Sequence, residues 1–158
     1  MQRKHLIVFC FIFFIPFWVW SQENIVIPKE SMTIDSSTRA LLIKKAKEYI
    51  GVQYHHGQSN KTGFDCSGFV KYIFEKFDFS LPHNSRDQYH KAKQIKNEEA
   101  KPGDLVFFIT LGKQISHVGI YLGDHMFIHA PSKGKKVSIS SLDEVYYKKR
   151  LVGFGSVL

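Results

Sequence analysis

Cysteine is nearly missing, with two among 158 residues. One of them, Cys10, lies in an apolar N-terminal run and reads as filler there rather than as a lipid attachment site. If that run is removed on export, Cys66 stands alone. A single cysteine excludes an internal disulfide, and a leftover thiol in an exported chain invites a catalytic reading. Long apolar stretches are lacking too: Leu6 to Trp20 is shorter than the roughly 20 residues that a membrane span needs. Acidic side chains are outnumbered, 14 against 22 basic ones, for a formal charge of +8. There is no internal repeat and no low-complexity tract beyond the N-terminal run.

What is present begins with a leader. Arg3 and Lys4 precede the apolar run and Ser21-Gln22 follow it, so residues 1–21 read as a secretory signal. Val19-Trp20-Ser21 is bulkier than a preferred cleavage site, which keeps an uncleaved membrane anchor as the alternative. Cleavage removes Arg3 and Lys4 and leaves 20 minus 14, or +6. A basic exported protein suits an anionic surface such as a cell wall or membrane. Scattered lysines and core-type aromatics speak against nucleic acid. Residues 22–35, polar and carrying Pro28, read as a linker or a surface strap, and the remainder is one domain's worth of chain.

From Ser36 or Ser37 a helix is expected, with Leu41, Leu42, Ala46, Tyr49 and Ile50 on one face and Gly51 as its stop. A loop rich in turn formers, Val52 to Gly63, leads to Gly63-Phe64-Asp65-Cys66-Ser67-Gly68-Phe69-Val70. Asp65 is a good N-cap, and Phe69, Val70, Ile73, Phe74 and Phe77 recur at helical spacing behind it. Cys66 then sits on the first turn, where unpaired N–H groups and the helix dipole favour an anion and a lowered thiol pKa. The plainer alternative is a small buried hydrophobe. A short helix through Gln88, Tyr89 and Ala92 is expected next, and Lys101-Pro102-Gly103-Asp104 is a turn. Leu105–Ile109, Ile115–Leu122, Met126–His129, Val137–Ile139 and Leu151–Val157 then read as strands. Helices first and strands afterwards predict an α+β domain, with the Cys66 helix packed on an antiparallel sheet.

A thiol nucleophile needs a base and a group to orient that base. In Ser116-His117-Val118-Gly119-Ile120-Tyr121-Leu122 the apolar face is Val118, Ile120 and Leu122, which leaves His117 on the other face with Gly119 and Tyr121. A two-residue Gly123-Asp124 turn would put His117 and His129 on opposite faces of the hairpin. A three-residue loop, Gly123-Asp124-His125, or an equivalent bulge, makes them diagonal neighbours on one face, as the catalytic reading requires. Either histidine alone could be a hydrogen-bonded structural residue. Zinc held by Cys66, His117 and His129 is the rival, though no closely spaced ligand pair supports it. His55 and His56 could line a groove, whereas His83, His90 and His125 are expected to face solvent.

At these residues the sequence resembles the NlpC family of cell-wall cysteine peptidases, over roughly Ser36 to Leu158. Four segments carry the likeness in order: Thr62 to Val70, Pro102-Gly103-Asp104-Leu105-Val106-Phe107-Phe108, Ser116 to Gly123, and Ile128-His129-Ala130. The resemblance implies a papain-like core with Cys66 as nucleophile, His117 as base and later acid, and His129 orienting His117. It implies a place for Tyr54 beside the oxyanion and substrate, and for Asp65 and Ser67 in stem-peptide recognition. The substrate so implied is the peptidoglycan stem peptide, commonly cut between D-γ-glutamate and diaminopimelate or lysine, with no metal or cofactor. Two groove segments depart from the family pattern: Gln53 replaces a proline and Gln58 a second glycine, and Pro82-His83-Asn84-Ser85 has Arg86 displaced. The expectation is therefore an exported, monomeric peptidoglycan endopeptidase of the periplasm or cell wall. The alternatives are an amidase or acyltransferase on another wall or lipid substrate, a non-catalytic wall-binding module, and a membrane-anchored interaction protein.

Overall fold

The computed structural model describes residues 36–158; the signal and linker expected over 1–21 and 22–35 lie outside the described residues. The first helix, α1, runs Ser36–Lys47 and buries Leu42 and Ala46. Two of the residues expected on its inner face, Leu41 and Ile50, are instead about half exposed (55% and 49%). Leu41 lies one residue, about 100°, round the helix from the buried Leu42–Ala46 line, and Ile50 lies beyond an early end to the helix. Glu48, Tyr49 and Ile50 donate to carbonyls three residues back, which tightens the last turn, and Gly51 leaves it at φ 91°. The loop beyond contains a small hairpin, β1 (Ser59–Asn60) with β2 (Gly63–Phe64), that alternation could not reveal at two residues per strand.

Helix α2, Cys66–Glu75, opens where the capping residue requires: Asp65 is extended and accepts from the Gly68 N–H. Its inner face, Phe69, Val70, Ile73 and Phe74, is fully buried. Helix α3, Ser85–Lys91, is capped by Asn84, and β3, Lys93–Ile95, follows it. The remaining elements are β4 (Leu105–Phe108), β5 (His117–Gly123), β6 (Met126–His129), β7 (Ser138–Ser141), a four-residue helix α4 (Val145–Lys148) and β8 (Leu151–Ser156). They form one six-stranded sheet in the order β3-β8-β4-β5-β6-β7, antiparallel at every pairing. Among the described residues no helix is long and apolar enough to cross a membrane.

Alternation along the strands divides the core into two. Leu105, Phe107, Val118, Ile120 and Ile128 meet α2 and Phe64 on one side of the sheet. Val106, Phe108, Tyr121, Phe127 and Phe154 pack with Leu142 and Tyr147 on the other. The face of β5 that carries His117 is thus roofed by α4 and its flanking turn. At the N-terminal end, the buried Asp104 accepts from Arg39 at 2.9 Å, Ser156 at 2.8 Å and the Lys101 N–H at 2.7 Å, tying α1 to β8 and the start of β4.

The hairpin register that places the histidines is resolved by a bulge. Asp124 and His125 form a two-residue turn with φ of 48° and 59°, the left-handed pair that such hairpins use. Gly123 pairs with Met126, but Tyr121 pairs with Phe127 and Ile120 with Ile128, so Leu122 is the extra residue. The body of the hairpin therefore has the register of the three-residue loop. His117 and His129 share a face.

Candidate active site

The N-terminus of α2 meets the start of β5 and the end of β6 at a pocket of about 400 Å³. Cys66, His117 and Tyr54 line it together, with Ser116, Lys135, Glu144, Tyr146 and Tyr147. Cys66 is half-buried, and its sulfur is approached by the backbone N–H groups of Val118, Ser67 and Cys66 itself. Val118 directly follows His117, so the contact ties the sulfur to the start of β5.

Behind His117 runs a hydrogen-bonded row. His117 Nε2 lies 2.7 Å from His129 Nδ1, and His129 Nε2 lies 3.2 Å from Ser140 Oγ and 3.4 Å from the Tyr147 hydroxyl. One tautomeric arrangement serves a base at the pocket: His129 Nε2–H donates to Ser140 or Tyr147, His117 Nε2–H donates to His129 Nδ1, and the His117 Nδ1 lone pair is free. The ring edges at Phe108, Phe127 and Tyr147 pack around both imidazoles. Gly119, expected to leave room beside His117, leaves it for protein: a Cβ there would lie 2.7 Å from the Phe127 ring and 3.3 Å from His129 Cβ.

Asp65 and Ser67 sit beneath the helix start rather than on the pocket wall. Asp65 Oδ1 accepts from Gly68 N at 2.7 Å and Ser67 Oγ at 3.1 Å, and Oδ2 accepts from Gly57 N at 2.8 Å. His83, expected to face solvent, keeps one edge exposed but sets Nε2 3.0 Å from Asp65 Oδ1. Gln88, fully buried, donates to the Ser67 and Pro82 carbonyls. These contacts lock the Gly57 loop, the His83 loop and α3 to the start of α2. His125 pairs with Asp143 at 3.1 Å at the far hairpin end, in the open as expected.

Burial decides the resting protonation. It pushes the Cys66 thiol up to about 11, Asp65 adds to that, and the three backbone N–H groups only partly offset it. The expected lowering of this thiol by the helix start is overturned, because desolvation of the charged form outweighs the local N–H groups. Burial likewise lowers His117 from its ordinary 6.5 to about 4. His129 is lowered by burial, by His117 and by Lys135. The free site holds a neutral thiol and neutral imidazoles. Among the described residues no group of three or more His, Cys, Asp or Glu is placed to hold a metal ion.

A stability prediction follows from His117. Between pH 6.5 and about 4 the unfolded chain binds a proton that the folded chain refuses. Its contribution is present above the unfolded pKa and is lost as pH falls through that window, on the order of 3 kcal/mol. The urea midpoint should fall between pH 7.5 and pH 4.5. Equal midpoints would refute neutral burial of the pair.

Sequence reasoning missed Ser140, Tyr147, Lys135 and Glu144. Only Ser140 left a trace, on the same face of β7 as Ser138, which pairs with His129.

The NlpC/P60 family model matches residues 51–156. The "Probable endopeptidase p60" of Listeria innocua is 46% identical over 116 residues, 73% of this chain and 24% of that protein. The "Gamma-DL-glutamyl hydrolase" of Bacillus subtilis is 41% identical over 115 residues, 71% of this chain and 28% of that one. The chain thus spans about a quarter of the length of these curated relatives. Among solved structures, an NLP/P60 family protein of Staphylococcus aureus superposes with a TM-score of 0.71 at 34% identity, covering 78% of this chain and 42% of the other. The NlpC/p60 domain of the peptidoglycan hydrolase SagA superposes with a TM-score of 0.66 at 30% identity, covering 75% and 97%.

Proposed function

The chain belongs to the NlpC/P60 family, and we propose that it is an exported cysteine peptidase that hydrolyses an amide of the peptidoglycan stem peptide. The bond is the one between D-γ-glutamate and the following diamino acid. The observation that carries this reading is the 2.7 Å contact of His117 Nε2 with His129 Nδ1 behind a pocket shared by Cys66 and His117. Relatives named for endopeptidase and γ-glutamyl hydrolase activity support the choice of bond.

The chemistry runs from the neutral pair. As Cys66 Sγ attacks the carbonyl carbon, its proton passes to His117 Nδ1, and the imidazolium is held by donation from Nε2–H to His129. The Cys66 N–H, at the start of α2, supports the oxyanion, with Tyr54 at the same wall. The C–N bond then breaks, His117 returns the proton to the leaving amine, and a thioester remains. Water, deprotonated by His117, attacks the thioester carbonyl and restores the thiol. Asp65 and Ser67 contribute by fixing the helix start and the loops that flank the groove. Export through residues 1–21, a linker over 22–35 and a monomeric state complete the proposal.

Defined muropeptides incubated with protein lacking residues 1–21, beside Cys66→Ala, test it by mass spectrometry. Fragments split after D-glutamate with the unsubstituted protein alone are the expected result. Intact muropeptides in both reactions would leave a wall-binding module instead.

A further inference from the structure

Two hydroxyls at the far end of the His117–His129 row have no place in the reaction just described. Ser140 comes from β7 and Tyr147 from α4. Ser140 Oγ lies 3.2 Å and the Tyr147 hydroxyl 3.4 Å from His129 Nε2. Burial pushes the Tyr147 hydroxyl up, and hydrogen bonding from Ser140 pulls the other way. Tyr147 lines the pocket that holds Cys66 and His117, and Ser140 does not. The row that starts at His117 thus returns, through His129 and Ser140, to the pocket it left.

A row of two neutral imidazoles differs from one that ends on a carboxylate, because it can run in either direction with the same protons. In one direction His117 Nε2–H donates to His129 Nδ1, His129 Nε2–H donates to Ser140, and His117 Nδ1 is bare. In the other, Ser140 O–H donates to His129 Nε2, His129 Nδ1–H donates to His117 Nε2, and His117 Nδ1 carries the proton. The bonds within the row are equal in number both ways, so the rings themselves do not choose. Only the first direction can take the Cys66 proton. The fraction of molecules that hold it therefore enters the rate directly. The choice falls to the Ser140 proton, for which His129 Nε2 and the Tyr147 oxygen compete.

We propose that Tyr147 is a positioning residue that turns the row towards catalysis. Its oxygen takes the Ser140 proton, Ser140 is left as an acceptor, and His129 Nε2–H and His117 Nε2–H fall in line behind it. The Tyr147 proton is then free for the pocket, where water or a bound carbonyl accepts it. Phenylalanine at this position keeps the ring contacts with Phe108, Phe127 and His129, at 5.4, 4.9 and 5.4 Å between centroids, so the hydroxyl can be removed alone. The assignment rests on the Cys66–His117 hydrolase reading above, yet the direction of the row belongs to the free protein and is measured without substrate.

Nitrogen NMR of the full chain, labelled at histidine and held at neutral pH, reads that direction, since the bare and protonated nitrogens of a neutral imidazole resonate far apart. The unsubstituted protein should show His117 and His129 both protonated at Nε2. In Tyr147→Phe the Ser140 proton turns to His129, and both rings should move towards the Nδ1–H form. Muropeptide hydrolysis by this variant should lose about tenfold in kcat, the change expected of one redirected hydrogen bond. Ser140→Ala, which leaves the pocket wall untouched, should lose about as much in kcat with little change in KM. Adding Ser140→Asp to Tyr147→Phe supplies an acceptor with no proton to give, and should return both rings to Nε2–H and recover most of the loss. Identical ring forms in Tyr147→Phe and the unsubstituted protein would overturn the proposal, as would Nδ1–H at His117 in the unsubstituted protein. If none of these proteins cleaves a muropeptide, the hydrolase reading fails and the nitrogen shifts still decide the direction of the row.

Discussion

Replacing His117 by alanine is expected to lower kcat/KM at pH 7 by about 10³- to 10⁴-fold and to change the shape of the pH profile. With the thiol pushed up to about 11 by burial, only about one molecule in 10⁴ carries a thiolate at pH 7 when no base can take the proton. The variant should therefore gain close to tenfold per pH unit on the alkaline side. The unsubstituted enzyme should be nearly flat from about pH 5 to 9, because both members of the Cys66–His117 pair stay in their starting forms between about 4 and about 11. Iodoacetamide offers a second readout. Resting Cys66 should react no faster than a free thiol at pH 7, since the proton leaves it only during attack on a bound carbonyl. A variant with a flat profile, or a resting thiol alkylated far faster than free cysteine, would show that a thiolate pre-exists and that burial does not set its charge.

Replacing Gly68 by alanine should destabilise the protein, although alanine in a helix interior ordinarily gains about 1 kcal/mol over glycine. A Cβ at Gly68 would lie 2.2 Å from the Gln58 carbonyl oxygen, 2.7 Å from His83 Nε2 and 3.0 Å from Asp65 Oδ1. The nearest obstacle is backbone, held by the Asp65 N–H donating to the Gln58 carbonyl at 3.0 Å. Relief requires moving the loop off α2, which also breaks the Ser59 hydroxyl bond to the Gly68 carbonyl at 2.8 Å. Overpacking against a fixed carbonyl should cost about 3 kcal/mol, or a Tm lower by roughly 10 °C. Hydrolysis should fall as well, because Asp65 and Gly57 are joined through the same contacts that set the Cys66 turn. A melting temperature equal to or above the unsubstituted protein's would mean that the loop moves freely and does not brace the Cys66 turn.

How much of this was legible beforehand differs from residue to residue. The Asp65 cap, the buried face of α2 and the strands β4, β5 and β6 follow from neighbours in sequence, since capping and alternation act within one turn or one pleat. The pairing of His117 with His129 was legible only as a condition on the hairpin register, and the bulge at Leu122 supplied it through left-handed Asp124 and His125. Ile50 was misplaced because an α-helical period was extended past Lys47, where the helix tightens and turns away.

Composition, Cys66 behind a capping aspartate and the two strand histidines were determined by the sequence itself, because each depends on residue type and short-range spacing. Tertiary structure alone decided the charge state of the thiol, since desolvation depends on every chain segment that shields Cys66 from water. It alone also decided that Ser140 and Tyr147 would close the row behind His129, and that Lys135 and Glu144 would share one pocket with Cys66. Those residues lie 11 to 78 positions from their partners in the chain, and contacts at that distance are set by how the sheet and its roofing turns pack. No local pattern encodes them.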